Sequence, residues 1–276
     1  MILVFIFYSC EEKVLKNTDT GDIIPQYLRF DSEYIFAQDS LYTFELKLDS
    51  IALAQIDADP AAEEYVEGML IFKGDTLNPV GIRYKGSVGA FVFCLSGDWF
   101  NPSGYKTCTK LSMKVKINWE GRDELFYGLK KLQFHSQNLD PSQMHERLGY
   151  WLFRSMGVTA PRSVHTKLII NGEYLGLYSL TEQVDGRFTR YNFDEGEGNL
   201  YKEVWPLKSN GEVQTDNLLY DALKTNEDEG SSLDIIKSFA QAVVNADSLL
   251  LQNVITQYMD VDEIIAYAVV DRLIRN

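Results

Sequence analysis

Lys167-Leu168-Ile169-Ile170-Asn171-Gly172-Glu173-Tyr174-Leu175-Gly176-Leu177-Tyr178-Ser179-Leu180 is the stretch that decides the fold class of this chain. Asn-Gly between two apolar runs signals a type I′ turn, because both turn residues need positive φ and these two adopt it at low cost. The sequence therefore predicts a β-hairpin, with Lys167 to Ile170 as one strand and Glu173 to Leu180 as the return. Upstream, Leu111 to Ile117 alternates, with Leu111, Met113, Val115 and Ile117 on one face and Ser112, Lys114 and Lys116 on the other. Tyr42 to Leu48 alternates in the same way and reads as a half-buried strand. Met69 to Phe72 and Val80 to Tyr84 form two further strands joined by Lys73-Gly74-Asp75, and Ser87 to Thr107 is loop-like. Asp140-Pro141 opens a helix, with Asp140 as its cap, Leu148, Trp151, Leu152 and Ser155/Met156 as its buried stripe, and Gly157 as its stop. Beyond Asn199-Leu200-Tyr201-Lys202 the character changes. Ser231 to Met259 has helical periodicity, and Asp260 caps a last helix carrying Ile264, Ile265, Ala268 and Val269. Strands followed by helices give an α+β class.

The chain has 276 residues, 45% of them hydrophobic and 24% charged, an ordinary globular balance. Its 26 basic and 40 acidic side chains leave a net charge of −14. Such a surface repels phosphate backbones, which argues against nucleic acid as a partner, yet a local basic pocket can still hold a nucleotide. The cysteines Cys10, Cys94 and Cys108 form no C-x-x-C pair, and His135, His145 and His165 share no ligand spacing, so no metal site is expected from them. Cys94 and Cys108 bracket a Gly/Asp/Asn/Pro-rich loop. In an oxidising compartment they can form one disulfide; the other reading is two free thiols. Met1 to Tyr8 is an apolar run too short to span a bilayer as a helix and reads as the core of an export signal, with a buried first strand as the alternative. Residues 11–30 read as a polar tether.

Five ordered segments resemble the CotH (spore coat protein H) family of atypical protein kinases. They are Glu64-Tyr65-Val66 with Val80-Gly81-Ile82-Arg83-Tyr84-Lys85-Gly86-Ser87; Lys110 to Ile117; Gly128-Leu129-Lys130-Lys131-Leu132 with Asp140-Pro141-Ser142, Arg154-Ser155-Met156-Gly157 and Ala160-Pro161-Arg162; Ile170 to Tyr178 ending in Glu182-Gln183-Val184-Asp185; and Gly198-Asn199-Leu200-Tyr201-Lys202. The resemblance implies a two-lobed, protein-kinase-like fold. Residues 31–202 would form the β-rich nucleotide-pocket lobe and 203–276 the start of an incomplete helical lobe. It also implies ATP and Mg²⁺ or Mn²⁺ as cofactors, and Ser or Thr of a protein substrate as acceptor.

Phosphoryl transfer needs cations on the phosphates, a held metal and a carboxylate near the acceptor. Lys116 is the preferred pocket lysine, since it aligns with the lysine near the end of the family's basic strand, and Lys114 shares its face. Arg83 and Lys85 share a face as well and would edge the phosphate pocket; a solvated strand face is the other reading of all four. Glu146 is placed to pair with the pocket lysine, or else is an ordinary surface carboxylate. Glu182 to Asp185 occupies the place of a kinase hinge. His135 reads as structural. An apolar run ending in Ser9-Cys10 resembles a bacterial lipoprotein signal, which implies lipidation at Cys10, a membrane anchor, and a periplasmic or cell-surface location. The family's catalytic loop would follow a helix like Asp262 to Arg275, so the catalytic aspartates are expected after Asn276 and the chain is expected to be an inactive fragment. The alternative is a surface lipoprotein serving as a protein- or carbohydrate-binding, adhesin-like module.

Overall fold

The computed structural model describes residues 26–86, 88–98, 100–227, 231–247 and 249–274. The run Met1 to Tyr8, the lipidation candidate Cys10, most of the tether and Ser87 lie outside the described residues. The strands are β1 (Tyr42–Leu48), β2 (Val66–Phe72), β3 (Asp75–Tyr84), β4 (Met113–Lys116), β5 (Lys131–His135), β6 (Ser163–Ile170) and β7 (Glu173–Thr181). They close into a barrel in the order β1-β2-β3-β4-β5-β7-β6. Neighbours are antiparallel except β1 and β6, which run parallel from Tyr42 opposite Thr166 to Leu46 opposite Ile170. The helices are α1 (Gln26–Arg29), α2 (Ser32–Ile35), α3 (Ser50–Ala58), α4 (Val88–Phe91), α5 (His145–Ser155), α6 (Gly186–Asn192), α7 (Asp216–Ala222), α8 (Asp234–Asn245), α9 (Leu251–Tyr258) and α10 (Val261–Ile274). The fold is thus α+β on a seven-stranded mixed sheet. Among the described residues no helix is long and apolar enough to cross a membrane.

The hairpin forms as its turn chemistry requires: Asn171 and Gly172 take φ of 50° and 83°, and Ile170 faces Glu173. Alternation on β4 holds too, with Leu111, Met113, Val115 and Ile117 all buried. The barrel interior is filled by aromatic and branched side chains, among them Phe44, Leu46, Leu70, Phe72, Ile82, Phe134 and Leu180. Each such side chain contributes about 1.5–3 kcal/mol by leaving water. Phe44 stacks on Phe72 at 4.5 Å and meets Phe134 edge-on at 5.3 Å, so it ties β1 to β2 and β5.

Four expectations change. The helix opens at His145, not at Pro141. Asp140 instead folds residues 140–145 into a turn, accepting from Ser142 N at 2.9 Å and His145 N at 2.8 Å. The face of α5 also differs. Glu146 bonds to His135 and Arg147 to His165, so these polar residues turn inward with Gly149 and Phe153. Leu148, Trp151 and Met156 consequently face out, each about half exposed. On α10 the buried residue is Val270, while Ile264, Ile265 and Val269 of the expected stripe are exposed. Finally, the tether ends early, because Tyr27 is buried in the barrel core and its hydroxyl donates to Glu124 at 2.6 Å.

Candidate functional site

Outward-facing positions of β3, β4 and β5 meet at one end of the barrel. Arg83 sits opposite Lys114 and Lys114 opposite Gln133, so strand register alone brings these three together. Lys85 follows β3, with its N–H bonded to the Ser112 carbonyl at 2.9 Å. The start of α5 and the segment carrying Lys202 and Glu203 close the other side. The result is a cleft of about 490 Å³ whose lining includes Glu63, Arg83, Lys85, Lys114, Gln137, Glu146 and Lys202.

The centre of the cleft is a relay. Glu146 Oε1 lies 2.7 Å from His135 Nδ1, and Lys85 Nζ lies 2.8 Å from His135 Nε2. A carboxylate only accepts, so Nδ1–H donates to Glu146 and Nε2 accepts from the Lys85 ammonium. The Thr181 hydroxyl donates to the same Glu146 oxygen. Burial pushes up the Glu146 carboxyl, but the bonds from His135 and Thr181 and the Lys85 charge outweigh it and hold the group below the usual carboxylate range. Burial pushes the Lys85 ammonium down to about 8, against the pull of Glu146. It brings Lys114 to about 8 as well, helped by the charges of Lys131, Arg83 and Lys85. Arg83 is anchored by Glu63 at 2.5 Å, and Glu63 also accepts from Gly86 N at 2.7 Å. Cations held close together and partly stripped of water favour a multiply charged anion.

The model of the CotH kinase protein family matches residues 82–276, more than two thirds of the chain. This chain belongs to the CotH kinase family. No curated protein matches it. In this CotH-family chain every cleft-lining residue except Glu63 falls within the matched span.

The structure brings Arg83, Lys85, Lys114 and Glu146 together and leaves Lys116 and Glu182 outside. Lys116, the preferred pocket lysine, faces Gly81 across β3 and β4. A Cβ on Gly81 would lie 2.4 Å from the Trp119 ring, so the indole lies flat on the strand there. Lys116 Nζ sits 5.7 Å over that ring, away from the cleft lining, and Lys114 takes the pocket position instead. Glu182 is buried in an ion cluster with Arg162 at 2.5 Å and Arg187 at 3.4 Å. Its backbone N–H is spent on the Arg162 carbonyl at 2.8 Å, so neither its side chain nor its N–H is available to a base edge. Glu146 meets His135, which in turn meets Lys85; the lysine at the far end of this contact is neither Lys116 nor Lys114. Cys94 and Cys108 are joined as a disulfide. The sequence reading missed His135 and Gln137 as cleft residues. The alternation of β5 carried the signal for His135, since buried Leu132 and Phe134 put Lys131, Gln133 and His135 outward. Lys202 stood in a family segment without a role.

Proposed function

We propose that the cleft holds the phosphates of ATP and that this chain is part of an exported CotH-like kinase acting on Ser or Thr of protein substrates. The observation that carries the reading is the convergence of Arg83, Lys85, Lys114 and Lys202 in one cleft of a chain whose net charge is −14. The same lining carries Glu63, Glu146 and Glu203, so the cleft is net positive by one charge, and a locally positive cleft against a negative background suits a nucleoside triphosphate. On this reading the barrel is the nucleotide-pocket lobe and the helices beyond residue 203 begin the helical lobe. The Lys85–His135–Glu146 relay does the work of a kinase lysine–glutamate pair, setting the lysine where phosphate oxygens bind. The Cys94–Cys108 disulfide supports an oxidising, exported location.

CotH kinases use ATP and a divalent metal. The described residues suit the nucleotide better than the metal. Among them no three His, Cys, Asp or Glu side chains converge. Glu63 is spent on Arg83 and Gly86, and Glu146 on His135 and Thr181.

Nucleotide titration of the purified chain tests the reading. A charge-assisted hydrogen bond contributes about 1.5–3 kcal/mol, so Lys114→Met is expected to weaken ATP binding at pH 7 by roughly ten- to a hundredfold. Lys116→Met is expected to leave it unchanged. Equal losses in the two variants, or no ATP binding by the parent, would refute the cleft assignment. Transfer of labelled γ-phosphate to protein in Mg²⁺ or Mn²⁺ is the readout for the kinase step, and capture of a protein or glycan without nucleotide binding would favour the adhesin-like module.

A further inference from the structure

Among the described residues that line the cleft, Glu63 alone lies outside the family-matched span 82–276, yet it touches two groups of that span at once. Its Oε2 pairs with Arg83 Nη1 at 2.5 Å, and its Oε1 accepts from Gly86 N at 2.7 Å. The local sequence puts it there. Asp59 caps the short turn Pro60–Ala62, its carboxylate accepting from Ala62 N at 3.3 Å, and Glu63 N closes the turn by donating to the Pro60 carbonyl at 3.3 Å. Glu63 then takes φ of 53°, in the left-handed region, where a long side chain is disfavoured. Two residues on, the ring of Tyr65 lies under the Arg83 guanidinium at 5.1 Å. Arg83 Nη1 also donates to the Tyr84 carbonyl at 3.1 Å. A carboxylate, a ring and a carbonyl therefore grip the arginine that lines the cleft.

By charge alone, a carboxylate in an anion-binding cleft works against the ligand. Its use here is orientation. The Gly86 N–H fixes one oxygen, which leaves the other aimed at Arg83. An arginine side chain that is free before binding loses rotamer freedom when it meets a phosphate, and one already held loses less. We propose that Glu63 is a positioning residue for the phosphate cleft: it holds the Arg83 guanidinium in place before the ligand arrives, so that the segment ahead of β2 completes a site otherwise built from β3 onward.

The proposal rests on the reading of the cleft as a nucleoside triphosphate site, and the test separates the two. Dissociation constants for ATP and for inorganic tripolyphosphate are measured by calorimetry on the intact chain, Glu63→Asp, Arg83→Met and the double variant. Aspartate keeps the negative charge that Lys85 and Lys114 feel. It shortens the reach by about 1.5 Å, one carbon–carbon bond, too much to hold Gly86 N and Arg83 together. Glu63→Asp is expected to weaken both ligands by roughly two- to tenfold, the worth of one ordinary hydrogen bond, and Arg83→Met by roughly ten- to a hundredfold. With Arg83 already replaced, Glu63→Asp is expected to add nothing, because its effect passes through the arginine; a merely structural role would weaken both backgrounds alike. In the unliganded intact chain, NMR is expected to show hindered rotation of the Arg83 guanidinium. Unchanged affinity in Glu63→Asp, or equal losses with and without Arg83, would overturn the role of Glu63 and leave the phosphate cleft standing. A freely rotating guanidinium would do the same even if the variants do not fold. Absence of binding of both ligands by the intact chain would overturn the cleft reading and this role with it.

Discussion

Raising the pH should switch the proposed phosphate cleft off well before the protein unfolds. Lys85 and Lys114 are both held near 8 by burial, whereas Arg83 stays charged throughout the range that matters. Each lysine is about 90% charged at pH 7 and about 10% charged at pH 9, by the titration relation. If a polyphosphate binds only the charged form, each site weakens about tenfold over that interval, and the pair about a hundredfold or 2.7 kcal/mol. At pH 8 each free lysine is half protonated, so binding should draw in about one proton in total. The last ionisation of the ligand's terminal phosphate lies below this window and acts the other way, so it does not mimic the loss. The sign for folding is opposite. A lysine whose folded pKa is lowered costs stability below that pKa, and the cost fades as pH climbs from about 8 toward the unfolded value. The unliganded fold should therefore gain from these two groups over the interval in which the ligand is lost. Calorimetric titration with ATP in two buffers of different ionisation enthalpy measures affinity and proton uptake together. Glu146→Gln sharpens the test: it removes the charge that holds Lys85 up, so the fall in affinity should move to lower pH. A flat affinity between pH 7 and 9, with no proton taken up at pH 8, would refute this account of the cleft.

Two stability predictions follow from the packing. Phe44→Ala removes the ring that joins β1 to β2 and β5 and should cost about 3–5 kcal/mol in urea unfolding; a loss below 1 kcal/mol would show that the barrel interior relaxes around the gap. Arg162→Ala leaves buried Glu182 with Arg187, at 3.4 Å, and the backbone N–H of residue 162, at 3.3 Å, and should cost a similar amount, about 3–5 kcal/mol, because a buried charge loses its main partner. If Arg162→Ala and Arg162→Met are both near neutral, Glu182 does not depend on the pair.

Local chemistry made much of the fold legible. The Asn171-Gly172 turn, the alternation of β1 and β4 and the cap at Asp260, which accepts from Glu263 N at 3.0 Å, are each written within a few residues. What was not legible depends on distant partners. Barrel closure rests on β1 pairing with β6, residues more than a hundred positions apart, and no local period announces it. The apolar residues of α5 suggested the wrong inward face for a related reason. Hydrophobic periodicity assumes that apolar residues point in, but Glu146 and Arg147 have histidine partners on β5 and β6 that rotate the helix the other way. A period can locate a helix without knowing which of its faces the rest of the protein will satisfy.

The same division explains the lysines. Period 2 put Lys114 and Lys116 on one face of β4 and could not rank them, because both satisfy it equally. Ranking them needed one fact from elsewhere in the chain, that Trp119 folds back onto Gly81 and lies beneath Lys116. With Lys116 withdrawn onto an indole face, the two lysines have different neighbours. Lys114 is held down first by burial and then by the charges of Lys131, Arg83 and Lys85, with Glu63 acting the other way; Lys116 makes an aromatic contact that asks nothing of a ligand. A cation kept among like charges at a cost to the fold is better explained by an anion that relieves the cost than by stability. That reasoning favours Lys114 over Lys116 and makes the paired substitutions Lys114→Met and Lys116→Met the comparison on which the phosphate reading stands or falls.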